Sequence, residues 1–462
     1  MGEKKLHAIM IGFCYQGHTT PFTNLAINLA SNGCAVTFVQ TESVHHMLCK
    51  ANGVNAANGD PFLGTNLDIR YATISDGLPP DFDRLLYYDD HWDSMYRHFP
   101  SRMDEVVGSL ISSDPQLIHF LVADTFYSWP AAIARKYNIS SVSFWTEPAL
   151  VFAIDYHLDV LKERGYFPIK GDEEKKVVDF IPGVRPIEAK DLMSYFHDPD
   201  VSSTTSRIVW DAFEQVKYAD FILINTLHEL EDEAISAVNR KQPTYAIGPI
   251  NFTKSVVPKS LWPETDCANW LDSKAPGSVL YFSFGSFAHS NKQLAEEIAR
   301  GLLLSGVHFV WVIRDGADIL PDGFEDESKA QGLIISWCNQ NEVLSNPAIG
   351  GFLTHCGWNS ILETIWCGVP MICYPFFVDQ PTNRKLVVDD WKVGINLCDG
   401  PSVDRKEVAE KIKQLMSAET SISLRDEMNK MRMLMHKALD EQGSSQANFN
   451  QFLKDLKAKA EA

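Results

Sequence analysis

At 462 residues the chain is too long for one hydrophobic core and predicts two domains. Its 45% hydrophobic and 22% charged content argues against disorder, and a net charge of −19 without a basic run argues against nucleic acid or an anionic membrane as partner. Nine scattered cysteines without C-x-x-C spacing read as reduced thiols of a cytosolic protein, and no apolar run is long enough to span a bilayer.

The N-terminus runs MGEKK into a strand with no signal-peptide core, and Leu6 stands where a myristoylation motif needs Ser or Thr. The expected species is a soluble, cytoplasmic monomer in which the sequons at Asn138 and Asn251 stay unmodified. His7–Phe13 reads as a strand, followed by a helix opened by Thr20 and Pro21 and closed by Gly33. Strands at Ala35–Val39, Leu67–Ile74, Ile118–Ala123 and Ser141–Trp145 alternate with helices at Ser94–Ser112 and Trp129–Tyr137. This rhythm predicts a parallel sheet with helices on both faces. His45, His46 and Cys49 lie close together, but a helix surface accounts for them better than zinc does.

The rhythm breaks from Pro148 to Lys217 and resumes with the strand Phe221–Asn225 and a helix through Val238. Ala246–Glu264 carries Gly248, Pro249, Pro258 and Pro263 without periodicity and reads as the interdomain linker. A second α/β unit begins with the strand Ser278–Ser283 and the turn Phe284-Gly285-Ser286. It continues through Val307–Ile313, Leu333–Ser336, Ile349–Thr354, Pro370–Cys373 and Val393–Leu397. Helices fill Asp404–Leu439, and a last helix carries Phe449, Phe452, Leu453 and Leu456 on one stripe. The expected domains are 1–247, completed by the helix 440–462, and 248–439. The fold class is α/β, with two Rossmann-like parallel sheets facing across a cleft.

Candidate chemistry lies at strand ends. His18 follows the first strand, and Asp124 follows the strand Ile118–Ala123, so both stand at a carboxyl edge. A histidine held by a carboxylate is a general base near neutral pH. The plain alternative is that His18 precedes a helix cap and Asp124 caps the next helix, and spacing alone leaves both open. In the second unit, His355, Gly357, Asn359 and Ser360 link a buried strand to a helix. Backbone amides and the positive end of the helix dipole would then converge on one point, where a phosphate binds without lysine. Trp337 ends a strand and offers a flat ring to a base. Glu363, one turn into the helix, is placed to accept ribose hydroxyls, and Asp379 and Gln380 to bind a sugar. Each of these residues also has an ordinary structural explanation as a cap or a core side chain.

The stretch from Trp337 to Gln380 resembles the signature box of the plant family-1 UDP-dependent glycosyltransferases. Its Trp, Gln, His-Cys-Gly-Trp-Asn-Ser, Glu, Gly-Val-Pro and Asp-Gln elements all keep the family's spacing. The resemblance implies that Trp337 stacks on uracil and the Cys338 backbone bonds the base. Gln340 and Glu363 would serve the ribose, His355, Trp358, Asn359 and Ser360 the diphosphate, and Asp379 and Gln380 the sugar. Ser286 matches the family's phosphate-contacting serine, Thr146 the residue that reaches the sugar's 6-hydroxyl, and Gln16-Gly17-His18 with Asp124 its catalytic pair. Asn339 departs from the usual proline, which would loosen the loop beside the base, and Tyr374 replaces a frequent tryptophan.

On this reading the chain transfers glucose from UDP-glucose, its co-substrate, to a small-molecule acceptor with inversion, needing no metal or other cofactor. Asp379 and Gln380 would face His18 across the cleft. Tyr87, Tyr88, His91, Trp92, Phe126, Phe152 and Tyr195 are candidates for an aromatic acceptor wall, with Glu147 an odd charge beside it. For each, core packing is an equal alternative. Asp81-Phe82-Asp83 has the look of a DxD metal motif but follows Pro79 and Pro80, which marks a loop. A nucleotide-sugar epimerase or hydrolase on the same fold and a non-catalytic UDP-sugar binder are the rival readings. No G-x-G-x-x-G follows a strand, which disfavours a dinucleotide oxidoreductase.

Overall fold

The short apolar runs of the sequence become strands buried on both faces, as parallel sheets require. The computed structural model describes residues 4–252, 260–285, 292–314, 319–398 and 402–462. Two units emerge, one from Met1–Lys190, Tyr195–Trp262 and Ala438–Ala462, the other from Asp191–Ser194 and Pro263–Lys437.

In the first unit, β1 (Leu6–Ile11), α1 (Gln16–Ser31), β2 (Ala35–Thr41), α2 (Glu42–Ala51), β3 (Ile69–Ile74) and α3 (Tyr88–Ser113) alternate. They lead to β4 (Ile118–Asp124), α4 (Pro130–Lys136) and β5 (Ser140–Trp145). Shorter pieces follow: α5 (Ala149–Asp155), α6 (Leu158–Glu163), the antiparallel pair β6 (Val177–Val178) and β7 (Ile187–Glu188), and α7 (Thr204–Gln215). The strands β8 (Phe221–Ile224) and β9 (Thr244–Ala246), joined by α8 (His228–Asn239), complete the sheet. Its seven strands run parallel in the order β3-β2-β1-β4-β5-β8-β9. The order reverses between β1 and β4, so the chain leaves their carboxyl ends in opposite directions and opens a crevice there.

Two sequence expectations shift. The turn Gln16-Gly17-His18 is the first turn of α1, not a lead-in to it: the amides of His18 and Thr19 both close on the Tyr15 carbonyl, at 3.0 and 2.9 Å. Pro21 therefore sits inside the helix. The chain also stays with the first unit through Trp262, beyond position 247. Ile247 and Ile250 are buried in that unit's core, and Leu261 packs with Cys14, Val44 and Leu48.

The second unit comprises α9 (Ala268–Asp272), β10 (Val279–Ser283), α10 (Lys292–Ser305), β11 (His308–Val312), α11 (Phe324–Ser328) and β12 (Gly332–Ile335). It continues with α12 (Gln340–Ser345), β13 (Ile349–Thr354), α13 (Trp358–Cys367), β14 (Met371–Cys373) and α14 (Gln380–Lys385). The strand β15 (Gly394–Asn396) and the helices α15 (Arg405–Met416) and α16 (Ala418–Ala438) close it. Six parallel strands in the order β12-β11-β10-β13-β14-β15 reverse between β10 and β13. Alternation along β10 feeds two layers: Leu280 and Phe282 meet α10 and α15, whereas Val279 and Tyr281 meet α9 and α12. Asp191–Ser194 belongs here because Arg384 pairs with Asp191 and the Val378 amide donates to Ser194 Oγ at 2.7 Å.

The final helix, α17 (Ser444–Glu461), places Phe449, Phe452 and Leu456 in the first unit's core with Phe22, Phe144 and Phe221. Ser445 Oγ donates to the Gly248 carbonyl, and Tyr245 donates to Asp455 at 2.6 Å. Among the described residues no helix is long and apolar enough to cross a membrane, and all nine cysteines are free thiols. Replacing the fully buried Phe452 by Ala is expected to destabilise the first unit by about 3–5 kcal/mol, read as a lowered denaturant midpoint.

Candidate active site

In the first unit, the crevice between β1 and β4 receives the expected pair. His18 lies in the first turn of α1, and Asp124 is the last residue of β4. His18 Nδ1 stands 2.8 Å from Asp124 Oδ2, and the other carboxylate oxygen accepts the Phe126 amide at 3.1 Å. A carboxylate only accepts, so Nδ1 carries the proton and Nε2 keeps a lone pair. Thr146, one residue past β5, sets its Oγ1 3.0 Å from the same Nδ1.

Aromatic rings surround the imidazole. Phe13 lies 5.0 Å from it and Phe126 5.6 Å, centroid to centroid, and Trp92 stacks beyond Phe13 at 4.9 Å. Tyr88 reaches Trp92 at 6.2 Å. Phe13 escaped the sequence reading because it ends an apolar run and looked like core. Three of the proposed wall residues stand elsewhere. Phe152 is wholly enclosed by Trp145, Tyr156 and Phe213, so it packs the interior. Tyr195 is buried with its hydroxyl on Asp155 at 2.6 Å. Tyr87 is 51% exposed at the start of α3, against Phe82. Glu147 is buried just before α5, and His91 is buried near Cys14 and Asp76.

The Asp81–Asp83 loop is structural. Buried Arg84 forks onto Asp76 at 2.7 and 2.9 Å and donates to the Pro79 and Phe82 carbonyls, while Asp83 accepts the amides of Leu85 and Leu86. His45 bonds the Tyr71 hydroxyl and the Ala56 carbonyl. Among the described residues no group of three His, Cys, Asp or Glu side chains is arranged to hold a metal.

In the second unit, the crevice between β10 and β13 gathers the other residues. Cys356 turns the chain after β13 with φ at +67°, a left-handed value uncommon outside glycine, and Gly357 opens α13. Trp358, Asn359 and Ser360 form the first turn of that helix, whose amides point out along its N-terminal end. The side chain of Trp358 is buried against Trp391. His355 is wedged between two glycines: a Cβ on Gly285 would fall 2.6 Å from its ring, and one on Gly357 2.4 Å away. Burial pushes the imidazole down to about 4, while a bond to the Ser283 backbone works the other way. Nδ1 of His355 is buried with no hydrogen-bond partner among the described residues. Ser286 lies outside the described residues.

Trp337 follows β12 against the α9–α12 layer, and its carbonyl accepts the Thr265 amide at 2.9 Å. Beside it, the Cys338 thiol turns inward to the Tyr281 hydroxyl at 3.5 Å. Gln340 donates to Glu363 at 2.6 Å and to Ser360 Oγ at 3.0 Å, and Tyr281 donates to it at 3.3 Å. Burial raises the Glu363 carboxyl to about 7 against the pull of the Gln340 bond. Where the family carries proline, Asn339 caps α12 by accepting the Glu342 amide at 3.3 Å. Tyr374 packs on Phe284 and Phe376.

Asp379 and Gln380 open α14. Gln380 Oε1 is taken by the Phe376 amide at 2.8 Å, which leaves its amide nitrogen for a ligand. Asn383, missed in the sequence, donates both to Asp379 at 2.5 Å and to the Cys356 carbonyl at 2.9 Å. It ties the start of α14 to the turn after β13. Its only sequence signal is the four-residue step from Asp379 along a helix.

The family profile described as "UDP-glucoronosyl and UDP-glucosyl transferase" matches residues 243–425. The chain is 48% identical to UDP-glycosyltransferase 86A1 of Arabidopsis thaliana, over 99% of this chain and 96% of the relative. It is 36% identical to 7-deoxyloganetin glucosyltransferase of Gardenia jasminoides, over 99% and 98%. The solved structure of Phytolacca americana UGT2 with UDP-2fluoro-glucose and pterostilbene superposes with a TM-score of 0.81 at 27% identity, covering 98% of this chain and all of that one.

Two outcomes follow from the second-unit geometry. Gly285→Ala drives a methyl into His355 from a backbone at φ +74° and is expected to weaken UDP binding at least about tenfold by calorimetry. Glu363 binds its proton more tightly folded than unfolded, so its contribution is complete below 4.5 and fades as pH rises through about 7. Urea unfolding of Glu363→Gln should lose that decline, gaining on the order of 1–3 kcal/mol on wild type at pH 8 relative to pH 4.

Proposed function

The chain belongs to the plant family-1 UDP-dependent glycosyltransferases, and on that premise we propose that it transfers glucose from UDP-glucose to a hydroxyl of a small aromatic or terpenoid metabolite, inverting the anomeric carbon. The observation that carries the mechanism is the bond between His18 Nδ1 and Asp124 Oδ2 at 2.8 Å. It leaves Nε2 as the basic nitrogen. As the acceptor oxygen bonds to the anomeric carbon, its proton passes to Nε2, the bond from that carbon to the phosphate oxygen breaks, and its electron pair leaves with UDP. Asp124 stays ionised throughout and stabilises the imidazolium.

We assign Trp337 and the Cys338 backbone to uracil, and Gln340 and Glu363 to the ribose. His355, Asn359, Ser360 and the Trp358 amide take the diphosphate, and Asp379 and Gln380 the sugar. The first-turn amides of α13 and the helix dipole offset the charge on the departing UDP, so the reaction as proposed needs no metal. Phe13, Trp92 and Phe126 around His18 support a flat, apolar acceptor. So does the pterostilbene held by the Phytolacca americana enzyme, while the Gardenia jasminoides relative is named for 7-deoxyloganetin. Nine free thiols support a reducing compartment such as the cytosol.

With UDP-glucose and a panel of phenolic acceptors, UDP release is expected only when an acceptor is present. Release without acceptor would instead favour hydrolysis. His18→Ala should lower transfer by roughly 10²–10⁴-fold while UDP affinity stays within about twofold. Unchanged transfer would remove His18 from the base role. EDTA should leave the rate unaltered, and a loss of activity in chelator would overturn metal independence.

A further inference from the structure

The resemblance gives Thr146 to the sugar's 6-hydroxyl, yet its side chain is turned to the histidine. Oγ1 lies 3.0 Å from His18 Nδ1, the nitrogen that Asp124 Oδ2 meets at 2.8 Å. One ring nitrogen thus faces two oxygens. The carboxylate obliges Nδ1 to donate, so Thr146 Oγ1 accepts the second arm of a three-centre bond, and its own hydrogen points away from the ring.

Both oxygens are buried and mechanically fixed. Asp124 is steadied by the Phe126 amide at 3.1 Å. Thr146 is held from both sides. Before it, Trp145 accepts the Asn225 amide through its carbonyl at 2.9 Å and donates its ring N–H to the Pro148 carbonyl at 3.0 Å. After it, buried Glu231 takes the amides of Ala149 and Leu150 at 3.0 and 2.8 Å and the Thr226 hydroxyl at 2.5 Å. A single carboxylate contact lets an imidazole pivot about the N–O line. A second oxygen on another strand end removes the pivot and sets the plane in which Nε2 presents its lone pair.

We propose that Thr146 is a positioning residue for His18, acting through Nδ1. The inference rests on the reading of His18 as the base. Loss of the second contact should misalign Nε2 without altering the donor site, a fall in kcat at constant donor KM.

The test compares Thr146→Val, which keeps the shape and removes the oxygen, with Thr146→Ser, which restores it. With UDP-glucose, Thr146→Val should lose about tenfold in kcat with donor KM within about twofold, and Thr146→Ser should recover to within about threefold. With UDP-xylose, which has no 6-hydroxyl, the valine penalty should be the same. A penalty that vanishes with UDP-xylose, or one expressed as a raised donor KM, overturns the proposal in favour of a sugar contact. A donor-free measurement stands beside it: the His18 Nδ1 proton resonance, assigned by its loss in His18→Ala, should move in Thr146→Val and return in Thr146→Ser. No movement overturns the proposal. Failure of the base reading is separate, since it shows as transfer retained by His18→Ala whatever Thr146 does.

Discussion

Everything chemical in this protein depends on where two strand orders reverse. Between β1 and β4, and again between β10 and β13, successive connections leave toward opposite faces of the sheet, and the strand ends are left uncovered. His18 and Asp124 come from segments distant in sequence and meet at 2.8 Å only because their strands are neighbours at such a point. The same reversal in the second unit sets Gly285, after β10, against His355, after β13. The hydrophobic layers hold the strands, and the strands set the distance between donor and acceptor atoms.

The second crevice shows how a strongly acidic chain can be equipped for an anion. No lysine or arginine is among the residues assigned to the diphosphate. The provisions are the first-turn amides of α13, a left-handed residue just before them, and an imidazole whose proton affinity is lowered by burial. Glu363 is likewise held by burial near the middle of the pH range, on a network that runs through Gln340 to the buried Tyr281 hydroxyl. In the assignment proposed above, dipoles and desolvation thus take the place of formal charge.

Much of this was legible in the residues. Alternating apolar runs gave two parallel sheets, and the strand-end positions of His18, Asp124, His355 and Asp379 could be read by spacing. Side-chain orientation was not legible. Phe13 and Phe152 are both apolar residues near strand ends, yet one faces the histidine and the other is enclosed by core, a distinction set by packing partners far away in sequence. Asn383 and the contact of Thr146 with His18 were hidden for a related reason: a hydrogen bond between elements leaves no periodic trace. The start of α1 was misplaced because Thr20-Pro21 is a good local cap, while the tertiary fold extended the helix one turn upstream. Ala246–Glu264 looked like a linker by composition, but Ile247 and Ile250 lie in the first unit's core and Leu261 packs with Cys14, Val44 and Leu48.

The final helix carries a consequence for the order of assembly during synthesis. The first unit's core includes Phe449, Phe452 and Leu456, which the ribosome adds after the whole of Pro263–Lys437. At usual elongation speeds that intervening stretch, about 175 residues, takes roughly 10–35 s to make. Throughout that interval the nascent first unit lacks part of its apolar cover and stays available to chaperones, while the second unit emerges with its own sequence complete. The half bearing His18 is therefore closed only once Phe449, Phe452 and Leu456 have been made and can pack into it.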